Sequence, residues 1–460
     1  MMKKLLMILL CFALMLPTAY AQEDETIIEL SDEAILVNGM PISEEPSENI
    51  FLAYQTEVHE DVPEELSGLS NRVITIADGG TYRFSGTAGD TQIAVKAGED
   101  DEVRLILDGL DITCRTAPAI AVHTAKDPRT AGEYAVTIEP AEGSMNNVTG
   151  SHTEEMEEDD IKLSGAITSL VSIGFDGDGY LNVNGDNEGI EAKFGHMTFD
   201  GGNIIVTSGD DPLNASEDGV SVITVNDGTL HLQVRPDESG EGDGMDSNGA
   251  IVINGGVVDS YSHPDSMDSG IDSELGCTIN GGIVLGAGNM YDEISAESGQ
   301  LFMALQFAEK VEDMIVLTTM DGEFVAFIEE SAGYTSFVLS SPDIPEGDYF
   351  LYLGGELELR DGEMTYIPGT QLQHGGSFSG RMGRGGKPGM ERPDDMPEPP
   401  EGMEKPEDMP EFPEGMEKPE RGGFDGDRRG FNPNEAAGEA STTFHLAPGS
   451  NMFAGITAAE

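Results

Sequence analysis

Asn254-Gly-Gly-Val-Val and, 26 residues later, Asn280-Gly-Gly-Ile-Val are the stretches of this sequence that decide the fold. The same motif, a polar residue with glycine followed by an apolar strand, occurs at Asp200-Gly-Gly-Asn-Ile-Ile and Asn226-Asp-Gly-Thr-Leu-His. The second glycines of the four motifs are 26, 28 and 26 residues apart, at Gly202, Gly228, Gly256 and Gly282. A fixed period of this length indicates that one structural unit is stacked repeatedly.

The length of the period selects the type of repeat. About 26 residues is too short for a four-stranded propeller blade and too long for a nine-residue calcium roll. It fits one coil of a parallel β-helix, with three short strands and three turns. Glycine suits turns with a positive φ, and asparagine suits turn positions that stack. Gly79–Gly86 and Leu105–Ile112 follow the same pattern, so we predict that the β-helix extends from about residue 31 to residue 298.

Two cysteines remain after the N-terminal segment described below, Cys114 and Cys277. They are 163 residues apart, which corresponds to about six coils. Coils stack at roughly 4.8 Å, so the two sulfurs would lie roughly 30 Å apart along the axis. A disulfide needs Cα atoms within roughly 7 Å of each other. We therefore predict two free, buried cysteines.

Residues 299–373 change to short alternating strands that are separated by turn signals such as Asp321-Gly322 and Gly354-Gly355. This pattern predicts a small antiparallel β domain. Thr442–Ala447 has the pattern of one more strand, so residues 441–456 are candidates to complete that domain.

Residues 374–440 have a different composition from the rest of the chain. Pro400-Glu-Gly-Met-Glu-Lys-Pro-Glu recurs 13 residues later at Pro413, and Pro, Gly, Met and Glu dominate. Such a segment buries too little apolar surface to offset the entropy of ordering, so we predict a disordered insert. A methionine-rich metal site is the alternative, and the absence of interleaved His or Cys disfavours it.

Residues 1–21 have the pattern of a secretory signal peptide. Lys3 and Lys4 precede the apolar run Leu5–Leu16, and Ala19-Tyr20-Ala21 has the small-x-small cleavage pattern. No later run is long and apolar enough to cross a membrane. We expect a secreted protein, extracellular or associated with the cell surface, without membrane insertion.

The chain carries 87 Asp and Glu residues against 23 Lys and Arg residues, for a formal net charge of −64. Direct binding to nucleic acid needs clustered basic residues, so this balance argues against it. We expect a monomer whose partner is neither nucleic acid nor an anionic membrane surface.

Acidic-glycine turns recur between the asparagine-glycine turns, at Glu188–Glu191, Asp218–Ser221, Asp243–Asp246 and Ser269–Asp272. If the coils are in register, carboxylates stack at roughly 5 Å and repel by roughly 1 kcal/mol in water and about 3 kcal/mol at a protein surface. A cation would offset that cost, and ligands that are all oxygen favour Ca²⁺ over zinc or copper. The alternative is a solvated acidic face. The candidate ligands are Asp186, Glu188, Glu191, Asp210, Asp211, Asp218, Asp243, Asp246, Asp268 and Asp272.

These turns, followed by short strands and Asn-Gly-Gly, resemble those of the secreted carbohydrate-binding β-helix family of clostridial type. Asn187–Lys193, Asp243–Ser247 and Asp268–Ser273 carry the match, which covers roughly residues 31–370. The resemblance implies a right-handed parallel β-helix similar to pectate lyases, bound calcium, and recognition of polygalacturonate or other acidic pectin, and also of cellulose. Residues 22–298 would be the carbohydrate-binding domain.

The chain departs from the family pattern at the second acidic turn, where Ser221 replaces the second acid. Asp210 and Asp211 lie a few residues upstream and are candidates to supply the missing ligands.

We weigh three functions. The first is calcium-mediated binding of an anionic polysaccharide without turnover, since calcium can present open coordination positions to uronate carboxylates. The second is a calcium-dependent polysaccharide lyase with Lys193 as the base, although neighbouring carboxylates would raise the pKa of that lysine. The third is an extracellular structural protein without a glycan ligand. The absence of Trp favours it, although Tyr180, Phe194, Phe199 and Tyr261 are candidates to stack on sugar rings.

Overall fold

The computed structural model describes residues 25–56, 66, 68–153, 161–236, 240–329, 333–360, 363–378, 440–449 and 451–459. The predicted signal peptide, and residues 379–439 of the predicted disordered insert, lie outside these ranges. The predicted start of the insert at residue 374 is wrong, because Gly376–Phe378 form a strand that pairs with Met452–Ala454. Within the described ranges the fold is all-β, because the regular secondary structure consists of strands alone. No helix in the described ranges has the length and apolar character needed to cross a membrane.

The chain divides into two compact units. The first consists of the described residues up to Phe302 together with Ser336–Pro345, and the second of those in Met303–Thr335 and Glu346–Glu460. The predicted boundary at residue 298 lies close to the end of the first segment. In chain order the strands are β1 Thr26–Leu30, β2 Ile35–Val37, β3 Met40–Pro41, β4 Ile50–Gln55, β5 Asn71–Ile76, β6 Gly80–Ala88, β7 Thr91–Lys96, β8 Val103–Thr113, β9 Ile120–Thr124, β10 Val136–Pro140, β11 Met145–Gly150, β12 Gly165–Ser169, β13 Ile173–Phe175, β14 Tyr180–Gly185, β15 Glu188–Ala192, β16 Met197–Phe199, β17 Asn203–Ser208, β18 Leu213–Ala215, β19 Val222–Val225, β20 Thr229–Val234, β21 Met245–Ser247, β22 Ala250–Ile253, β23 Val257–Tyr261, β24 Asp272–Ser273, β25 Cys277–Ile279, β26 Ile283–Gly288, β27 Phe302–Val311, β28 Ile315–Thr319, β29 Phe324–Ile328, β30 Tyr334–Ser340, β31 Gly347–Arg360, β32 Glu363–Gln373, β33 Gly376–Phe378, β34 Phe444–Leu446 and β35 Met452–Ala458.

Three ladders of parallel strands build most of the first unit. The first ladder contains β5, β7, β9, β12, β15, β18, β21 and β24, with β4 added antiparallel to β5. The second ladder contains β10, β13, β16, β19, β22 and β25, and the third contains β11, β14, β17, β20, β23 and β26. From β12 to β26 the chain therefore visits the three ladders in a fixed rotation, once in each repeat.

The side chains that point inward between the ladders form the core. Ile190, Leu213 and Met245 follow one another at one register position of the first ladder, and all three are buried. Phe175 and Phe199 stack in the second ladder with ring centroids 4.9 Å apart. Phe199 is therefore a core residue and is not available for stacking on a sugar. Cys114 and Cys277 are buried free thiols, as predicted.

The recurrent glycine turns have the conformation that the sequence predicts. The second glycines of the four motifs have φ values of +88°, +91°, +75° and +88°, a region that residues with a Cβ rarely adopt. The polar residue of each motif hydrogen-bonds the next. The Asn226 amide donates to Asp200 Oδ1 at 2.7 Å, Asn254 donates to Asn226 at 2.8 Å, and Asn280 donates to Asn254 at 2.9 Å. These bonds hold successive turns in register.

In the second unit most strand pairs are antiparallel. Strand β31 pairs with β28, β32 and β34, while β27 and β35 are parallel. The strand expected within Thr442–Ala447 is β34, which pairs with Gly347–Tyr349. His374, Phe444 and Phe453 form an aromatic core, with ring centroids 4.9–5.1 Å apart.

Candidate functional site

The acidic residues of the repeat lie on the first ladder, which stacks one residue of each strand directly over the next. Glu191 of β15 pairs with Asn214 of β18, Asn214 pairs with Asp246 of β21, and Asp246 pairs with Asp272 of β24. A row of oxygen-bearing side chains therefore runs across four strands. Neighbouring strands in a sheet are about 4.8 Å apart, so side chains that share a register position lie next to one another.

A second row of acids lies three residues before the first row in each repeat. It consists of Glu188, Asp211 and Asp243. Asp211 Oδ1 accepts a hydrogen bond from the backbone N–H of Asp243 at 2.7 Å, and Asp243 Oδ1 accepts one from Ser269 N–H at 2.6 Å. Asn214 joins the two rows, because its amide nitrogen donates to Glu188 Oε1 at 3.2 Å and to Asp211 Oδ2 at 3.1 Å. Each carboxylate of this second row thus accepts a hydrogen bond from the repeat that follows it. We call Glu188, Asp211, Asp243, Asp246 and Asp272 the acidic cluster.

Burial and mutual repulsion oppose ionisation of the acidic cluster. Burial, with the negative charges of Asp210, Glu191 and Asp246, raises the pKa of Glu188 well above its usual range. Burial and neighbouring carboxylates, Glu188 first among them, do the same to the pKa of Asp211. Burial and Asp272 raise the pKa of Asp243. Without a cation the cluster therefore favours bound protons, whereas with a cation it can hold its negative charge.

One oxygen of the acidic cluster lacks a partner. Glu188 is 7% exposed, and its Oε2 atom has no hydrogen-bond partner among the described residues. A buried carboxylate oxygen without a donor carries a desolvation cost of about 1–3 kcal/mol or more. Asp243, Asp246 and Asp272 each offer a carboxylate oxygen within 4.8 Å of the others. Oxygens that bind Ca²⁺ lie about 2.3–2.6 Å from it, so two of them can be up to about 5 Å apart. The arrangement is compatible with a hard cation.

The structure brings most of the sequence-predicted ligands together. The five cluster residues were all predicted, and Asp210, Glu191 and Asp268 lie close enough to shift the pKa of cluster members. Asp186 is bonded elsewhere, to Ser151 and to the backbone N–H and ring of His152. These contacts lower its pKa despite partial burial.

Asp218 does not occupy the position that the motif alignment assigned to it. The strand that continues the first ladder is Leu213–Ala215, which pairs with β15 on one side and β21 on the other. Asp218 lies in an exposed turn, where its Oδ1 accepts a hydrogen bond from the Asn248 amide at 2.9 Å. The acid-glycine pair Asp218-Gly219 resembles the repeat, but the register of Leu213 places Asp211 and Asn214 in the cluster instead.

Two residues at the site were missed by the sequence analysis. Asn214 occupies the outward row, and its signal was the apolar-polar-small triplet Leu213-Asn214-Ala215, which matches Met245-Asp246-Ser247. Asp292 follows Asp272 by less than one repeat, so the period could not identify it. Its Oδ2 accepts hydrogen bonds from the N–H and hydroxyl of Ser273 at 3.0 and 3.1 Å. Burial and Asp272 raise its pKa to about 6.

Lys193, the candidate lyase base, forms an ion pair with Glu191. Its Nζ lies 3.2 Å from Glu191 Oε1, and the Glu191 side chain is 1% exposed. Glu191 Oε2 also accepts the backbone N–H of Ser164 at 2.8 Å. The lysine therefore neutralises a buried carboxylate, which is a structural role.

We expect Lys193→Met to lower the free energy of unfolding by about 1–3 kcal/mol, because it leaves the Glu191 carboxylate buried without its counter-ion. Urea denaturation of the variant would measure the change. Lys162→Met is the matched control, since Lys162 forms no ion pair with another described residue. This substitution should leave the free energy of unfolding nearly unchanged. Equal effects of the two substitutions would contradict the role of the Glu191 ion pair.

Comparison with known proteins gives three findings. A family model described as "Carbohydrate-binding domain-containing protein" matches residues 70–301, just over half of the chain. A carbohydrate-binding domain-containing protein of Acetivibrio thermocellus is 36% identical over 140 residues, which are 30% of this chain and 46% of that protein. The match thus spans less than half the length of that relative. A solved structure described as the polysaccharide lyase-like protein from C. thermocellum, a gadolinium derivative, is 23% identical, covers 56% of this chain and 89% of its own, and has a TM-score of 0.36.

Proposed function

Because this chain belongs to the family of carbohydrate-binding domain-containing proteins, we propose that it binds an acidic plant polysaccharide of the pectin or polygalacturonate type, through calcium and without turnover. Family membership supports a polysaccharide partner. The observation that carries the proposal is the unpartnered Glu188 Oε2 beside the buried acids of the first ladder.

Calcium is the cation that suits this donor set. The acidic cluster offers only carboxylate oxygens, and the Asn214 side chain adds a carbonyl oxygen. Soft or borderline metals prefer sulfur and imidazole ligands, whereas Ca²⁺ takes six to eight oxygens in flexible geometry. Glu188, Asp211, Asp243, Asp246 and Asp272 would hold the ion or ions. When bound, calcium would supply positive charge and open coordination positions to uronate carboxylates.

The charge of the chain explains why a bridging ion is needed. With a net charge of −64, the protein would repel a polyuronate on direct contact. Cations on the acidic row would reverse the sign of the local field and align carboxylates of the ligand along the ladder. Binding and metal loading would then be coupled.

We also propose that the first unit is a right-handed parallel β-helix. The fixed rotation of the chain through three parallel ladders supports it, and so does the stacking of equivalent turn residues from Asp200 to Asn280. Right-handed crossover is the strong preference of parallel strand connections. Such a scaffold places one residue of every coil on the same edge, which is the arrangement an extended polymer requires.

Titration calorimetry with polygalacturonate tests the function. In calcium we expect a saturating heat, and in chelator an affinity at least tenfold weaker, because the bridging ion is lost. Continuous heat that fresh substrate renews would mean turnover and would replace binding by a lyase activity. No heat in either buffer would overturn the assignment of an acidic polysaccharide.

A further inference from the structure

Strand β29, Phe324–Ile328, lies at the edge of a sheet in the second unit. It pairs antiparallel with β28, and β28 pairs on its other side with β31. Among the described strands, none pairs with the far side of β29. An edge strand of this kind presents backbone N–H and C=O groups that can pair with a further strand. We call this side of β29 the free edge.

A β-bulge places two phenylalanine rings on one face of β29. Phe327 lies opposite Val316 of β28. Phe324 lies opposite Thr318, which leaves Val325 as the extra residue of the bulge. Val316 and Thr318 are two positions apart in one strand, so they point to the same face, and the two phenylalanines follow them. The ring centroids of Phe324 and Phe327 are 6.2 Å apart.

The two rings form an apolar patch next to the free edge. Val316 and Thr318 on the central strand are fully buried, whereas Phe327 is 43% exposed and Phe324 is half-buried. Exposed apolar patches with a polar rim mark interaction sites, and aromatic rings are enriched at protein interfaces. The patch therefore has the character of a docking surface.

The sequence of β29 does little to protect its free edge. Natural edge strands avoid unwanted pairing by means of charged side chains, proline or bulges. The one such device in β29 is the bulge near its start, and its sequence Phe-Val-Ala-Phe-Ile contains neither charge nor proline. The edge strand β4 differs, because Leu52 N–H already donates to the Ser43 carbonyl oxygen at 2.7 Å. The free edge of β29 is therefore the better candidate for an added strand.

Acidic residues surround the apolar patch. Glu323 directly precedes β29, Glu329 directly follows it, and Asp321 lies in the preceding turn. All three are exposed, and none forms an ion pair with another described residue. Residues 303–378 contain 14 Asp and Glu residues but only 2 Lys and Arg residues. A partner that complements this surface needs positive charge as well as apolar side chains.

The same charges argue against two other occupants. Antiparallel pairing of two copies of β29 about Ala326 would place the Glu323 side chains opposite the Glu329 side chains, and like charges at paired positions are destabilising. An anionic membrane surface would be repelled by the acids around the patch. A basic polypeptide in extended conformation satisfies both the backbone and the charges.

We propose that the free edge of β29 binds an extended, basic segment of another protein, which adds to the sheet as one more strand. Backbone pairing would hold the segment, and its apolar side chains would contact Phe324 and Phe327. Its lysine or arginine side chains would face the acids at the two ends of β29. The inference goes beyond the proposed function, because it gives the second unit a protein partner, whereas the proposed polysaccharide site lies in the first unit.

Fluorescence anisotropy of a labelled peptide tests the free edge. The probe consists of four Lys-Val repeats, and the control peptide has four lysines followed by four valines. Both are titrated with the full chain at physiological ionic strength, where attraction between distant charges is screened. We expect the alternating peptide to bind at least tenfold more tightly, because it alone presents all its valines on one face of a strand. Equal affinities would mean attraction by charge alone and would overturn the proposal.

Phe327→Thr should weaken binding of the alternating peptide about tenfold, since threonine favours the strand but removes the aromatic anchor. Ile205→Thr is the matched control, because Ile205 is 41% exposed on β17, which has a strand on each side. Equal effects of the two substitutions on the affinity for the peptide would place binding elsewhere and contradict the proposal.

Glu323→Gln combined with Glu329→Gln should weaken binding about threefold, the size expected for exposed charge pairs. Glu44→Gln combined with Glu48→Gln removes two exposed acids of the first unit and should leave the affinity unchanged. The same loss in both double variants would show that the peptide responds to the net charge of the chain and not to the free edge.

Hydrogen exchange of the unmodified chain makes the test independent of how the variants fold. The alternating peptide should slow amide exchange in Phe324–Ile328. Protection confined to other strands would overturn the proposal. Self-association that Phe327→Thr abolishes, without any binding of the peptide, would also overturn it, since a second copy would then occupy the edge. Each of these outcomes leaves calcium-dependent binding of polygalacturonate unaffected, so the two proposals fail separately.

Discussion

Asp246→Asn is expected to change stability in opposite directions with and without calcium. In chelator at pH 7 the substitution should raise the midpoint of thermal unfolding, because Asp246 adds to the repulsion that opposes ionisation of Glu188, Asp211 and Asp243. Removing one charge from such a group is worth roughly 1–3 kcal/mol at a partly buried site. In calcium the same substitution removes a proposed ligand and should lower the midpoint.

The loss of affinity sets the size of the effect in calcium. Changes in residues behind a ligand cost about 10–100-fold in metal affinity, so loss of a direct ligand should cost about 100-fold or more. At saturating calcium a 100-fold loss removes about 2.7 kcal/mol of stabilisation. Calorimetric titration with calcium and thermal unfolding in both buffers would measure the two quantities.

Asp218→Asn is the matched control for this experiment. Asp218 belongs to a similar sequence motif, but it lies in an exposed turn and bonds Asn248. Its replacement should leave calcium affinity unchanged. If Asp246→Asn stabilised the protein in both buffers, the acidic cluster would be a group of protonated acids and not a calcium site.

The second large effect is the dependence of calcium stabilisation on pH. The rise in unfolding midpoint that calcium produces is expected to be largest near pH 7 and to shrink as the pH falls toward 5. In the metal-free protein the raised pKa values of Glu188, Asp211 and Asp243 mean that the folded state binds protons at pH values where the unfolded chain does not. Asp292, with its pKa raised to about 6, contributes in the same direction.

The sign follows from proton linkage. A carboxyl with a raised folded pKa contributes stability that is present below its unfolded value near 4 and is lost as the pH rises through the folded value. Metal-free protein therefore gains about 1.4 kcal/mol per pH unit on acidification for each extra proton it binds. Calcium must displace those protons, so its stabilising effect decreases by the same amount.

His123 opposes this trend in the metal-free protein. Burial and then Lys96 lower its pKa to about 4, so the stability it contributes is present above pH 6.5 and is lost as the pH falls. It acts equally with and without calcium, so the difference between the two unfolding curves isolates the acidic cluster. Thermal unfolding at half-unit steps from pH 5 to 7 would measure that difference. A calcium effect that stayed constant over this range would contradict the raised pKa values.

Much of the candidate site could be predicted because the repeat is regular. The period of the glycine turns placed Glu188, Asp243, Asp246 and Asp272 on one edge, and these residues lie in the acidic cluster. The prediction failed at the coil where the spacing departs from the period. There the acid-glycine pattern selected Asp218. Strand pairing through Leu213 instead places Asp211, which the sequence offered as a substitute ligand, and Asn214, which it did not offer.

The outward residues of the ladders show a different limit. Alternation along each strand predicts which residues point outward, but sequence spacing does not show which faces stay open. Phe199 and Tyr180 were both candidates to stack on a sugar ring. Phe199 stacks on Phe175 in the core, whereas Tyr180 is exposed. Only the packing of Tyr134 on Gly174 shows that a loop covers this part of the second ladder, since that contact joins residues 40 positions apart.

The sequence by itself determined the all-β class, the repeat with its positive-φ glycines and stacked asparagines, and the two buried cysteines that form no disulfide. These follow from local conformational preferences and from a period that one sequence displays. Tertiary structure alone decided which carboxylates meet, which oxygen of Glu188 lacks a partner, and which outward aromatic residues are buried. Those properties depend on register between distant strands and on burial, and a shift of one or two residues in a coil changes both.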